Sequence, residues 1–268
     1  PTTTRWLPAS AAAEPPRTTF LEKTMTSNRR TVLITGASSG IGRGLAERFL
    51  REGYSVVGTG RSAERLRVTA TELAAGERFL GVAGDVADPD AAHRAFSEAI
   101  AAFGQVDVLV NNAGMFMAKP FADFTVAEID EQIATNLKGM LYHSQEAARH
   151  MSARRSGSIV SITASLALQP DHRVPALMNV ALKGAVNHAT KALALELAPF
   201  GVRVNAVAPG VVSTPMHGPD VNAAYGAMHP LGRVATIDEV SDAVLYLAQS
   251  DYITGVVLPV DGGSSAGR

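Results

Sequence analysis

Three glycines in TVLITGASSGIGRGLAER, residues 31–48, are spaced in a way that could do chemistry. Gly36, Gly40 and Gly42 follow G-x-x-x-G-x-G, after an apolar β-branched run and ahead of Ile41, Leu45, Ala46 and Phe49 at helical intervals. That order predicts a strand turning at once into a helix. The unpaired amides of a first helical turn, with the positive end of its dipole, attract an anion, and glycine lets the backbone approach it closely. The implied chemistry is phosphate binding, with Ser38 and Ser39 as added hydroxyl donors. A tight strand-to-helix turn needs glycine even where nothing binds, so the spacing alone leaves both readings open.

A phosphate cradle needs a sheet to present it, and the pattern downstream supplies one. Periodicity predicts further strands over 54–59, 78–83, 106–110, 158–162, 203–208 and 256–260. It predicts helices over 63–75, 89–103, 126–151, 178–197 and 238–249. Strict alternation with short connections implies α/β architecture: one doubly wound domain, a parallel sheet of about seven strands, and helices on both faces. Ligands of such sheets lie beyond the carboxyl ends of the strands. Residues 213–230, with Pro215, Gly218, Pro219, Gly226 and Pro230 among apolar side chains, are irregular and stand there either as a substrate lid or as an ordinary surface excursion.

Composition narrows the partners. The chain has 268 residues, 46% hydrophobic, enough for one large core without requiring two. Its 24 Lys and Arg against 25 Asp and Glu leave a net charge of -1, with no basic surface for nucleic acid, so the expected partner is a small molecule. No apolar run reaches membrane-spanning length, and no membrane partner is expected. There is no cysteine, and the seven histidines form no ligand cluster, so no metal is expected. Cytoplasmic location is the default. Residues 1–28, rich in Pro, Thr, Ser and Ala, read as a disordered extension ahead of a domain over 29–268.

From Arg30 to Gly263 the chain resembles the short-chain dehydrogenase/reductase family. Besides TGASSGIG, the resemblance rests on Gly84-Asp85-Val86, NNAG at 111–114, Asn136 in TNLKG, Lys183, VNAVAPG at 204–210 and ITGVVLPVDGG at 253–263. It implies a Rossmann-type NAD(P)-binding oxidoreductase domain. Gly36, Ser38, Ser39, Gly40, Ile41 and Gly42 would hold the cofactor's diphosphate. Asp85 and Val86 would contact adenine, and Asn112, Ala113 and Gly114 would line the adenosine-ribose side. Pro209, Gly210, Val212 and Thr214 would complete the cofactor site. Gly60 stands where an NAD-preferring relative carries an acid, and Arg61 follows it, which favours NADP because a guanidinium pairs with a 2′-phosphate that a carboxylate would repel. The bland alternative is an Arg61 balanced by Glu64.

The resemblance also implies a catalytic Asn, Ser, Tyr and Lys. Here these are Asn136, either Ala164 or Ser165 with Ser165 favoured, Asn179 in the tyrosine position, and Lys183, which would also hold the nicotinamide ribose. A carboxamide donates a hydrogen bond to an oxyanion but does not give up a proton near neutral pH. The expected activity is therefore NADP-dependent hydride transfer to or from a carbonyl or alcohol, with an unusual proton source. Water ordered by Asn136 and Lys183, or His172, are the candidates. A nucleotide-binding regulatory or scaffold protein is the alternative, and an isomerisation or elimination in the same pocket is a third. Substrate walls are expected over 166–178 and 213–230, with Met178, Met216 and Met228 as adaptable apolar surface. Relatives pair through their long central helices or last strand, implying a homodimer or homotetramer.

Overall fold

A computed structural model describes residues 29–218 and 220–267, so the extension predicted over 1–28 lies outside the described residues. Its strands are β1 (Thr31–Thr35), β2 (Ser55–Gly60), β3 (Phe79–Ala83), β4 (Val108–Asn111), β5 (Gly157–Ile162), β6 (Val202–Pro209) and β7 (Val257–Val260). They form one seven-stranded sheet in the order β3-β2-β1-β4-β5-β6-β7, and every neighbouring pair is parallel. Order reverses between β1 and β4, which opens the crevice where doubly wound sheets take their ligands.

The helices are α1 (Gly40–Arg51), α2 (Ala63–Glu72), α3 (Pro89–Phe103), α4 (Val126–Ile133), α5 (Gly139–Arg154), α6 (Leu177–Leu197), α7 (Val221–Tyr225) and α8 (Ile237–Gln249). Side chains alternate across a strand, so β1 feeds both faces of the sheet. Val32 and Ile34 join Leu45 and Phe49 of α1 and Val240 and Val244 of α8 on one face. Leu33 joins Phe96 of α3, Met151 of α5 and Leu197 of α6 on the other. Both clusters are closed to solvent, which is why the central strands read as unbroken apolar runs.

One predicted helix is split. The span 126–151 breaks into α4, a π turn over Ala134–Lys138, and α5. The wider turn sits where Asn136 reaches out to the backbone of Met115, accepting from its N–H and donating to its carbonyl, both at 3.0 Å. Gly139 follows because a β-carbon there would crowd Val86. β4 starts at Val108 rather than 106, since the Asp107 carboxylate caps the sheet by accepting from the Thr31 N–H at 2.8 Å. The described residues of 213–230 are irregular as expected, apart from α7 and a short turn over Gly226–Met228.

At the carboxyl ends, β1 and β4 are tied together. The buried Thr35 hydroxyl oxygen accepts from the N–H groups of Asn112 and Ala113, both at 3.0 Å. The Asn112 amide donates to the carbonyls of Thr35 at 2.9 Å and Gly36 at 3.3 Å. Gly42 is required beneath this junction, because a β-carbon there would overlap Gly36 O and the Asn112 amide. Thr35→Val preserves shape and leaves two amide donors without their acceptor. It is expected to cost about 3 kcal/mol of unfolding free energy in urea, with an unchanged m-value.

Candidate functional site

A cavity of about 900 Å³ opens beyond these strand ends, and every cofactor-binding and catalytic position that the family resemblance implied lines it, from the 36–42 turn to Thr214. The turn is shaped by Gly36 at φ +70 and Gly40 at φ +52, left-handed conformations that glycine adopts without strain. Ser39 is the extended N-cap residue of α1, its side chain caps no amide, and the first turn carries no acid. Positive helix-end potential is therefore left for a ligand anion rather than spent within the protein, and the glycine cradle fits a dinucleotide's diphosphate.

One end of the cavity is cationic. Arg61 lies between the end of β2 and Ser62, whose hydroxyl accepts from the Arg65 N–H at the start of α2. Glu64 does not balance Arg61, because it is held by Arg67 at 2.6 Å. Among the described residues neither Arg61 nor Arg65 has an ion-pair partner, and both line the cavity beside Gly60. Arg65 was not expected from the sequence. The available signal was its position one helical turn beyond Arg61, across a serine N-cap. Asp85 lines the same end, its carboxylate accepting from the Ala87 N–H at 2.9 Å.

Deeper in, the two asparagines meet on one loop. Asn179, 4% exposed, donates its amide to Met115 O at 3.0 Å and accepts from the Met117 N–H at 3.2 Å. Asn136 is bound to the same Met115 peptide, so both side chains clamp the segment that follows NNAG. The oxyanion role expected for Asn179 and the water-ordering role expected for the Asn136 side chain thus compete with backbone partners. Ala164 and Ser165 both line the cavity at the exit of β5. Of the two only Ser165 has a hydroxyl, and its partner is the Ser264 hydroxyl at 3.5 Å.

Lys183, on α6, donates from Nζ to Ile162 O at 2.8 Å and has no ion-pair partner among the described residues. Desolvation favours the neutral amine and brings its pKa down to about 8. It also borders a small void shared with Asn111, whose buried side-chain oxygen has no partner.

The outer walls come from two segments. Leu166, Gln169, Asp171, Arg173, Val174 and Pro175 form one, and Pro215, Met216, His217, Tyr225, Met228 and His229 form the other. Met216 and Met228 therefore stand where the sequence expected apolar surface, whereas Met178 is 7% exposed in α6 and is not among the lining residues. His172 is not a lining residue either: its side chain is 88% exposed and borders an adjoining hollow. His217, edge-on to Tyr225 at 5.8 Å, enters the wall instead, with Nδ1 3.0 Å from Val212 O. Neither aromatic was expected, since only the folded excursion brings them round. Among the described residues no cluster of His, Cys, Asp and Glu could hold a metal, and no helix is long and apolar enough to cross a membrane.

Known proteins share this frame. A family model described as enoyl-(acyl carrier protein) reductase matches residues 36–265. The BbsD subunit of (2S)-[(R)-hydroxy(phenyl)methyl]succinyl-CoA dehydrogenase from Thauera aromatica is 37% identical over 242 residues, covering 88% of this chain and 96% of that one. Among solved structures, ElxO with NADP bound superposes with a TM-score of 0.83 at 29% identity, over 89% of this chain and 100% of its own. The 3-ketoacyl-(acyl-carrier-protein) reductase of Brucella melitensis, complexed with NADH, gives 0.83 at 32% identity, over 88% of this chain and 98% of its own. With sequence and fold agreeing across almost the whole described length, the chain belongs to the short-chain dehydrogenase/reductase family.

Proposed function

We propose that the protein is an NADP-dependent oxidoreductase that moves hydride between the cofactor and a carbonyl or alcohol, with Lys183 as the source of the proton. The observation that carries this is one cavity joining an uncapped glycine turn, two guanidiniums beside Gly60 and an ammonium, none of the three cations ion-paired among the described residues. The NADP on ElxO and NADH on the Brucella melitensis enzyme support a nicotinamide dinucleotide in general. The choice of NADP rests on Arg61 and Arg65, which present planar donors for a 2′-phosphate and are not ion-paired among the described residues.

When bound, the cofactor supplies or accepts the hydride, and the remaining work falls to the protein. The cradle and the Asn112 segment fix orientation, which converts an encounter into a positioned reaction. Ser165 supplies a hydroxyl donor for the carbonyl oxygen. Lys183 spends one N–H on Ile162 O and keeps two, from which a proton passes to the substrate oxygen directly or through solvent. His172 is outside the lining, which leaves Lys183 as the proton source favoured here. Assembly into a homo-oligomer is also proposed, supported by Leu141 on α5 and Leu195 on α6, 42% and 80% exposed.

Removing either Arg61 or Arg65 by substitution to Ala is expected to weaken NADPH about tenfold by calorimetry while leaving NADH affinity in place. Equal losses for both dinucleotides would remove the NADP assignment.

The Nζ group holds its proton below about pH 8 and loses it above, and carbonyl reduction consumes a proton. Reduction should therefore be level below about pH 8 and fall about tenfold per unit above it, while alcohol oxidation rises through the same range. Lys183→Arg, which stays charged throughout, should abolish both limbs. Tight NADPH binding with no oxidation of it across a carbonyl panel at any pH would instead assign the protein a regulatory, nucleotide-binding role.

A further inference from the structure

The wall formed by residues 166–175 carries one guanidinium that is held rigidly. The Asp171 carboxylate is 1% exposed, whereas the Arg173 side chain is 48% exposed. Arg173 Nε donates to both carboxylate oxygens, at 3.0 and 3.2 Å, and Nη2 donates at 2.7 Å. The same carboxylate accepts from the Arg173 N–H at 3.0 Å, and the Val174 N–H closes the turn onto Asp171 O at 3.0 Å. One edge of the guanidinium is thus consumed by a buried acid. The other edge, Nη1 with the second N–H of Nη2, has no described protein partner, and Arg173 borders both the main cavity and the adjoining hollow.

Stability does not account for this arrangement. An ion pair between near neighbours with a half-exposed guanidinium contributes little to folding, while enclosing a carboxylate carries a desolvation cost. What the arrangement does achieve is orientation, since a flexible arginine that lines the cavity has been fixed in one geometry by its ties to Asp171.

We infer that Arg173, positioned by Asp171, binds a carboxylate on the substrate remote from its reacting carbonyl or alcohol. A carboxylate has two coplanar oxygens that match the single free edge. Asp171 already neutralises the guanidinium, so the pair lacks the surplus charge a dianionic phosphoryl group would call for. Apolar surface from Leu166, Val174, Pro175, Met216 and Met228 accommodates the carbon skeleton between the two ends. The substrate class is an oxo- or hydroxy-carboxylic acid of modest size.

The word substrate rests on the oxidoreductase reading, so the deciding measurement is binding without turnover. Cyclohexanecarboxylate, cyclohexanecarboxamide and inorganic phosphate are titrated by calorimetry into the full chain and into Arg173→Ala, Arg173→Lys and Asp171→Asn. Thermal unfolding reports whether each variant is folded. The wild type is expected to prefer the carboxylate over the amide by about tenfold. Arg173→Ala should lose that preference, Arg173→Lys should retain part of it, and Asp171→Asn should weaken it. Equal affinity for acid and amide, a preference surviving in folded Arg173→Ala, or phosphate binding tighter than the carboxylate would each overturn the inference. Selective carboxylate binding in a protein that reduces no carbonyl would uphold it and reject only the oxidoreductase reading. Where turnover exists, 4-oxocyclohexanecarboxylate should show KM raised about tenfold in Arg173→Ala with kcat largely kept, while its methyl ester should show no such rise.

Discussion

A hydroxyl at the end of β1 and a carboxamide at the end of β4, 77 residues apart, hold the crevice in shape. Thr35 supplies the acceptor for two backbone amides of the Asn112 segment, and Asn112 returns its own amide to the glycine turn. Parallel strands must part somewhere at their carboxyl ends, and the backbone groups freed there are buried and need partners. These side chains meet that need without filling the opening. Gly42 follows from the same constraint, because only a residue without a β-carbon fits below the junction.

The tyrosine position shows how a change of residue type moves a side chain from chemistry to architecture. Asn179 is short, and its amide and carbonyl reach the backbone of Met115, where Asn136 also binds, and of Met117. Each bond makes the loop after NNAG more rigid, and the bond to Met115 O uses one of the two N–H donors that Asn179 carries. Lys183 lies one turn further along α6 and remains beside the cavity with no ion-pair partner among the described residues. Relative to the pattern that the family resemblance implies, the lysine is present and the tyrosine position holds a carboxamide bound to backbone.

Net charge conceals how cations are arranged in the site. The chain as a whole is nearly neutral, but Arg61 and Arg65 stand at one end of the cavity, Lys183 lies deep within it, and Arg173 faces the outer wall. They differ in what accompanies them. The first two are exposed and not ion-paired among the described residues, Lys183 is desolvated, and Arg173 is anchored by a buried acid. A phosphate needs uncompensated charge, proton transfer near neutral pH needs a lowered pKa, and orientation needs a fixed geometry, so the surroundings separate the roles proposed for these cations.

Sequence alone determined the alternating strands and helices and the glycine turn, because burial on both sheet faces writes continuous apolar runs and a tight turn demands glycine wherever it occurs. It also put Arg61, Asn136, Asn179 and Lys183 on recognisable positions, since motif spacing survives in one dimension. Contacts made across long separations were decided only in the tertiary structure. The break at Ala134–Lys138 depends on Asn136 meeting Met115, the freedom of Arg61 depends on Glu64 choosing Arg67, and the exclusion of His172 depends on how a turn points. Arg65, His217 and Tyr225 entered the site for the same reason: local pattern fixes which face of an element is apolar, while the packing of that element against others decides what its polar side chains meet.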